Sequence, residues 1–267
     1  MANASPSGER DFAGRGMARI FGAPISWVAL FGALMGALSI VPMIFYPFGG
    51  GFASAGMVVF GPLSGVILGP WAGAIAGIIG GLIGMFISPA SYPLGIVDVF
   101  LSGALLPLAW GLAHPRYRKI FIPVYIIAMV IHFVIPYIWP GAAGGFETVG
   151  PVSYFLSFIW MPIGFVVYLV AQERFLKAMN TPSIQKRLLF TILYMFAPLC
   201  LWISPWLWAY FVFLHYPGEL ASLNNAVSWY FYILPIMVAS GVVAALLVRA
   251  LEQSGLPRVK GSILDQE

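Results

Sequence analysis

The sequence predicts an all-α fold, a polytopic transmembrane helix bundle of about eight spans with both termini cytoplasmic. Three observations carry that prediction. Of the 267 residues 61% are hydrophobic and only 8% charged, whereas an average soluble domain carries about 25% charged residues. Apolar stretches long enough to cross about 30 Å of hydrocarbon recur along the whole chain. All 13 Lys and Arg residues fall between alternate stretches, on one side of the membrane, which is the asymmetry that orients membrane proteins.

The apolar segments run roughly 25–46, 53–69, 71–88, 94–113, 120–139, 151–171, 188–214 and 228–250. The second and third are short and meet at Gly69–Pro70. They form either two full spans or a packed pair of partial ones, and the number of crossings is even in both cases. Residues 1–22 form a polar cytoplasmic tail, 23–252 a single bundle and 253–267 a second cytoplasmic tail. The first twenty residues include Glu9 and Asp11 and lack the order of a signal peptide, so the first hydrophobic segment is expected to be retained.

Basic residues settle the direction. Arg10, Arg15 and Arg19 precede the first segment; Arg116, Arg118 and Lys119 separate the fourth and fifth. Arg174, Lys177, Lys186 and Arg187 separate the sixth and seventh, and Arg249, Arg258 and Lys260 follow the eighth. The net charge of +4 therefore reflects topology, and no nucleic-acid partner is expected. The opposite loops carry no basic residue and include Gly49–Gly51, Glu147 and Glu219. A neutral or cationic solute suits that face better than an anion. The one cysteine, Cys200, lies in an apolar run and reads as an inert core thiol.

Six glycines fall four residues apart: Gly61, Gly65, Gly69, Gly73, Gly77 and Gly81. In a membrane helix this spacing opens a groove along one face into which another backbone can pack by dispersion, since lipid supplies no hydrophobic drive for helix association. In the first segment Ala29, Ala33 and Ala37 share a stripe beside Gly32 and Gly36. On the residues alone that stripe fits internal packing or docking of a partner.

The order of these motifs, the alanine stripe followed by Gly61-Pro-Leu-Ser-Gly65 and Gly69-Pro-Trp-Ala-Gly73, resembles the membrane-embedded substrate-binding (S) components of energy-coupling factor transporters. The resemblance covers about residues 25–113 well. It implies capture of a small organic solute of vitamin type from outside, with Ala29, Ala33 and Ala37 docking on a transmembrane coupling subunit driven by an ATPase pair. An S-component-like core would then occupy about 25–171, with an extra helix pair at 188–250, since such components usually have six helices. The chain carries no Gly-x-x-x-x-Gly-Lys motif, so ATP hydrolysis would belong to partners. The nickel and cobalt branch of these transporters uses a histidine beside the N-terminus; here position 2 is Ala2, and no metal is expected.

Polar residues within the segments mark a candidate substrate site. Asp98, the one carboxylate inside a segment, falls six residues past Tyr92, roughly 9 Å deep at about 1.5 Å per residue. It must be protonated, bonded to neutral donors, paired with a histidine or exposed to a hydrated pocket. His132 falls seven residues before Trp139, at about the same depth, and the two suggest one site. Ser102 shares the face of Asp98, Tyr125 that of His132, and Ser153, Ser157 and Trp160 form a third stripe. Together they predict an aromatic, weakly acidic pocket.

Trp139, Trp208, Tyr216 and Trp229 are read as interfacial belt residues and His114 as a headgroup contact. Trp160 and Trp206 lie deeper and fit packing and ligand stacking alike. Motifs for metalloprotease or serine-hydrolase chemistry are missing, as is any pair of intramembrane carboxylates; no enzymatic activity and no cofactor are expected. Two other readings stay open: a non-transporting membrane scaffold subunit, and a proton-coupled carrier using Asp98, although no second copy of the 61–81 pattern is evident.

Overall fold

Helices dominate the computed structural model, which describes residues 18–46, 50–138, 151–179, 181–213, 226–230 and 234–253, and isolated positions 215, 220, 223, 259 and 262. The expected Trp139, Glu147 and Tyr216, and the side chains of Ser153, Trp206 and Trp208, lie outside the described residues.

A short antiparallel pair, β1 (Arg19–Ile20) and β2 (Ala23–Pro24), leads into α1 (Ile25–Ala37). A second antiparallel pair, β3 (Pro42–Phe45) and β4 (Phe52–Ser54), follows. A π-helical turn over Gly56–Phe60 runs into α2 (Gly61–Leu68), and α3 spans Pro70–Ile87. The next helix comprises α4 (Ile96–Asp98), a π-helical stretch over Val99–Leu105 and α5 (Leu106–Leu112). Then come α6 (Arg118–Ile138), α7 (Pro151–Phe158), α8 (Trp160–Met179), α9 (Ile184–Tyr194), α10 (Phe196–Val212) and α11 (Leu234–Gln253).

Every expected apolar segment is helical over most of its length. Among the described residues five helices are long and apolar enough to cross a membrane: Pro70–Ile87, Pro115–Val134, Phe155–Met179, Ile184–Ile203 and Leu234–Gln253. Three shorter apolar helices, Ile25–Ile40, Gly56–Leu68 and Ile96–Leu112, occupy the remaining positions. The first expected segment, 25–46, overran its helix, because Pro42 cannot continue it and the chain turns into β3. Large apolar side chains point outward on many elements, among them Phe86, Ile127, Val170 and Leu246. That surface suits hydrocarbon rather than water.

The glycine ladder is not one continuous groove. It breaks at Gly69, whose φ of 81° ends α2 in a conformation open mainly to glycine, and Pro70 starts α3 with its φ already fixed. The two arms fold back on each other, so a Cβ on Gly73 would meet the Gly65 backbone at 2.8 Å. Beyond the bend, Gly77 crosses the Gly103 carbonyl at backbone distance and Gly81 faces Val99. Gly61 packs against Leu106, and Gly65 against the Pro107 carbonyl. The opposite flank of α3 meets α1, where Gly80 faces Met35 and Gly84 faces Ser39. Gly32 and Gly36 on α1 receive Ile79 and Ile83 in return. Helix α3 is thus smooth on two sides and clamped between α1 and the Val99–Leu112 helix.

The C-terminal helices are joined to this core. The Trp110 indole N–H donates to Met195 Sδ at 2.9 Å and the Trp202 N–H to the Leu101 carbonyl at 2.9 Å. Helix α11 packs on α9 and on Gly56–Leu68. Gly164 on α8 admits the Tyr125 hydroxyl and buried Cys200 to one junction.

Candidate functional site

Asp98 closes the first turn after Gly95, and its side chain is fully buried. The Leu94 backbone N–H donates to Oδ2 at 3.0 Å and the Ser102 hydroxyl to Oδ1 at 3.3 Å. Both donors are neutral and lie four residues away, so the carboxyl group is held by its own helix. Of the alternatives open for Asp98, bonding to neutral donors is what the fold adopts, and Ser102 is engaged in doing so.

The expected pairing of Asp98 with His132 is not formed. His132 is fully buried on α6, and neither ring nitrogen has a hydrogen-bond partner. Its ring lies 5.8 Å from that of Phe158, which also packs on Phe133 at 5.3 Å. Matched depth along two helices does not bring two side chains together, because depth leaves rotation about each helix axis free. Tyr125 lies in the junction instead: its hydroxyl donates to the Met161 carbonyl at 2.9 Å and its ring packs on Phe121 and Phe165.

The segment 157–160 carries buried Ser157, then Phe158, then Trp160 at the start of α8. The Trp160 indole stacks on Trp229 at 5.5 Å and 24°, with Phe196 and Tyr230 edge-on at 6.2 and 5.7 Å. Both indole nitrogens, Trp160 Nε1 and Trp229 Nε1, are buried without a hydrogen-bond partner. Trp229, expected in an interfacial belt, is fully buried in this stack. His132 beside Phe158, and Trp160 and Trp229 in their stack, thus hold four buried ring nitrogens without a partner, and leaving such groups unpaired inside a protein costs about 1–3 kcal/mol each.

Other expected residues separate by exposure. Ala29, Ala33 and Ala37 all face outward on α1, whereas Gly32 and Gly36 face inward. His114, expected at headgroups, is instead buried, and its Nδ1 accepts from the Arg116 backbone N–H at 3.2 Å. No three His, Cys, Asp or Glu side chains converge as a metal set among the described residues. Two cavities open elsewhere. A groove of about 290 Å³ between α5, α6 and α10 is apolar, with Leu108, Val124, Ile127 and Trp202 on its walls. A cavity of about 470 Å³ lies at the Arg118 end of α6, against Tyr168 and Gln172. Tyr168 and Gln172 stand one helical turn apart on α8, a polar pair at the end of the sixth segment that sequence reasoning passed over. Comparison of the chain with protein-family models, with curated proteins and with solved structures finds no match, so the functional reading rests on the geometry.

Proposed function

We propose that this protein is a membrane-embedded solute-capture subunit that docks on a transmembrane coupling partner energised by a separate ATPase pair. In this reading the five long and three short apolar helices all cross the membrane, and both termini lie on the basic, cytoplasmic side. The protein itself performs no catalysis and carries no cofactor.

One observation carries the reading: Ala29, Ala33 and Ala37 face outward from a helix whose other side is fused to α3 through Gly32 and Gly36. Lipid-facing helices gain nothing from small residues, whereas a second membrane helix packs closely on them. The unpartnered ring nitrogens of His132 and of the stacked Trp160 and Trp229 support a small organic solute with hydrogen-bonding groups.

Affinity purification from the native membrane tests this. The wild type is expected to bring down an ATPase pair with its coupling subunit, and Ala33→Trp to lose them while remaining folded. Mass spectrometry of the purified protein is expected to find a bound organic solute. Recovery without any ATPase, or with partners unchanged by Ala33→Trp, overturns the docking assignment.

A second reading, a non-transporting scaffold subunit, is favoured by the self-contained bonding of Asp98. It predicts stoichiometric recovery with a redox or photosynthetic complex and no bound solute.

A further inference from the structure

The cavity at the Arg118 end of α6 joins basic side chains to a buried polar wall. Its volume of about 470 Å³ is that of a small-molecule site, about 300–1,000 Å³. Arg118, Arg174 and Lys177 stand around it against a single carboxylate, Glu173. Lys177 is already committed to Glu173 at 2.9 Å, one turn away on the same helix. Arg118 and Arg174 have no ion pair among the described residues, although Arg118 lies near enough to Tyr168 and Glu173 to interact with both.

The inner wall is polar and incompletely satisfied. Tyr168 and Gln172, successive turns of α8, are only 3% and 2% exposed. The Tyr168 hydroxyl and the Gln172 Oε1 are buried without a hydrogen-bond partner. The Gln172 amide is oriented by its nitrogen, which donates to the Ala113 and Tyr194 carbonyls at 3.4 Å each. The Tyr168 ring is fixed by stacking on Phe121 at 4.1 Å. Leu169 and Val170, which also line the cavity, are exposed apolar side chains.

We propose that this cavity binds a phosphate ester carrying a hydroxyl or amine, with its charge on Arg118 and Arg174 and its donor group on Gln172 and Tyr168. Guanidinium forks match phosphate oxygens in geometry and charge. A phosphate alone leaves Gln172 Oε1 unsatisfied, because that oxygen only accepts; the ligand therefore brings a donor of its own. The exposed Leu169 and Val170 fit acyl chains running alongside, which makes an anionic phospholipid headgroup one source and a free organophosphate the other. The inference does not depend on the solute-capture reading, since it uses different residues and a different end of the bundle.

The test uses the full-length protein in phosphatidylcholine nanodiscs containing graded dioleoyl-phosphatidylglycerol, with retained lipid counted by native mass spectrometry. The wild type is expected to retain one phosphatidylglycerol. Arg118→Gln with Arg174→Gln is expected to weaken retention about thirtyfold, at about 1 kcal/mol per basic residue near the surface. Tyr168→Phe keeps the stack and is expected to weaken it several-fold. Lys119→Gln with Lys186→Gln removes as much charge outside the cavity and is expected to change retention little. Equal losses in the two double variants, or equal retention of phosphatidylcholine, overturn the proposal. In a separate arm, glycerol phosphate is titrated into pure phosphatidylcholine nanodiscs. Binding there as tight as that of the lipid assigns the site to a soluble ester, and its failure assigns it to the headgroup.

Discussion

Two alanine substitutions in the same ladder, Gly77→Ala and Gly81→Ala, should have opposite fates. Both place the same methyl group on α3 facing the Val99–Leu112 helix. At Gly81 the new Cβ would lie 3.1 Å from Val99 Cγ1, a side-chain methyl that can yield a few tenths of an ångström. At Gly77 it would overlap the Gly103 carbonyl, which belongs to a backbone and cannot yield alone. The helices must then part by about 1 Å or more, and even a gap of about 0.5–1 Å forfeits a quarter to a half of each contact's attraction along the seam. Overpacking of this kind costs about 1–3 kcal/mol, and a backbone clash belongs at the upper end. Alanine recovers about 1 kcal/mol of helix propensity at either site. The net loss is about 2 kcal/mol for Gly77→Ala and about zero for Gly81→Ala. At about 2–4 °C per kcal/mol for a chain of this size, the midpoints should separate by about 4–8 °C. Size-exclusion chromatography with fluorescence detection, after graded heating in mild detergent, reads that difference directly. If Gly77→Ala melts at or above Gly81→Ala, α3 is not clamped at backbone contact and the core described here is wrong.

Other substitutions probe the polar groups. His132→Leu removes an imidazole whose nitrogens bond nothing in the fold, so it should hold or raise the melting midpoint while abolishing co-purification of solute; a midpoint drop of several degrees would show a hidden structural bond. Asp98→Ala strips acceptors from the Leu94 N–H and the Ser102 hydroxyl and should cost about 1–3 kcal/mol. Asp98→Asn keeps an acceptor and should cost less in the same thermal assay, which a reversed order would contradict. The Arg187–Glu252 pair, 2.6 Å apart and mostly shielded, ties the start of α9 to the end of α11. A double-mutant cycle with Arg187→Gln and Glu252→Gln should return about 1 kcal/mol of coupling that weakens with salt, and a coupling of zero would mean that the contact does no structural work.

What was legible in the sequence depended on one-dimensional signals. Hydropathy placed every helical segment, because continuous apolar runs need no partner to be recognised. The glycine spacing correctly marked the tightest packing, yet its division between two interfaces was hidden until Gly69 turned the chain back. Whether Ala29, Ala33 and Ala37 faced inward or outward was undecidable from spacing, since small residues serve both. The pairing of Asp98 with His132 failed for the same reason: depth follows from counting residues, but rotation follows from packing. The burial of Trp229 and His114 was not legible either, because it follows from which helices pack around them and not from their neighbours in sequence. Sheet pairs as short as β1–β2 and β3–β4 leave no periodic trace. The Arg118 cavity arises from Arg118 on one helix and Tyr168, Gln172 and Arg174 on another, separated by about fifty residues of sequence, and no local pattern joins them.

The two halves of the bundle solve the absence of hydrophobic drive differently, and that difference locates the room for a ligand. From Ile25 to Leu112 the helices approach until glycine meets backbone, so nothing can enter between α1, α3 and Val99–Leu105 without prising main chains apart. Asp98 is satisfied there at short range by Leu94 and Ser102, and among the described residues the Tyr92 hydroxyl is the one buried side-chain polar atom of this half left without a partner. From α6 onward the contacts are made by large rings, and rings with nitrogen or hydroxyl handles cannot all find partners in a dry interior. The unpartnered atoms of His132, Trp160, Trp229, Tyr168 and Gln172 all belong to this half. In the function proposed here, the half clamped at glycine presents the alanine face for docking, and the half built on rings carries most of the unpartnered hydrogen-bonding atoms.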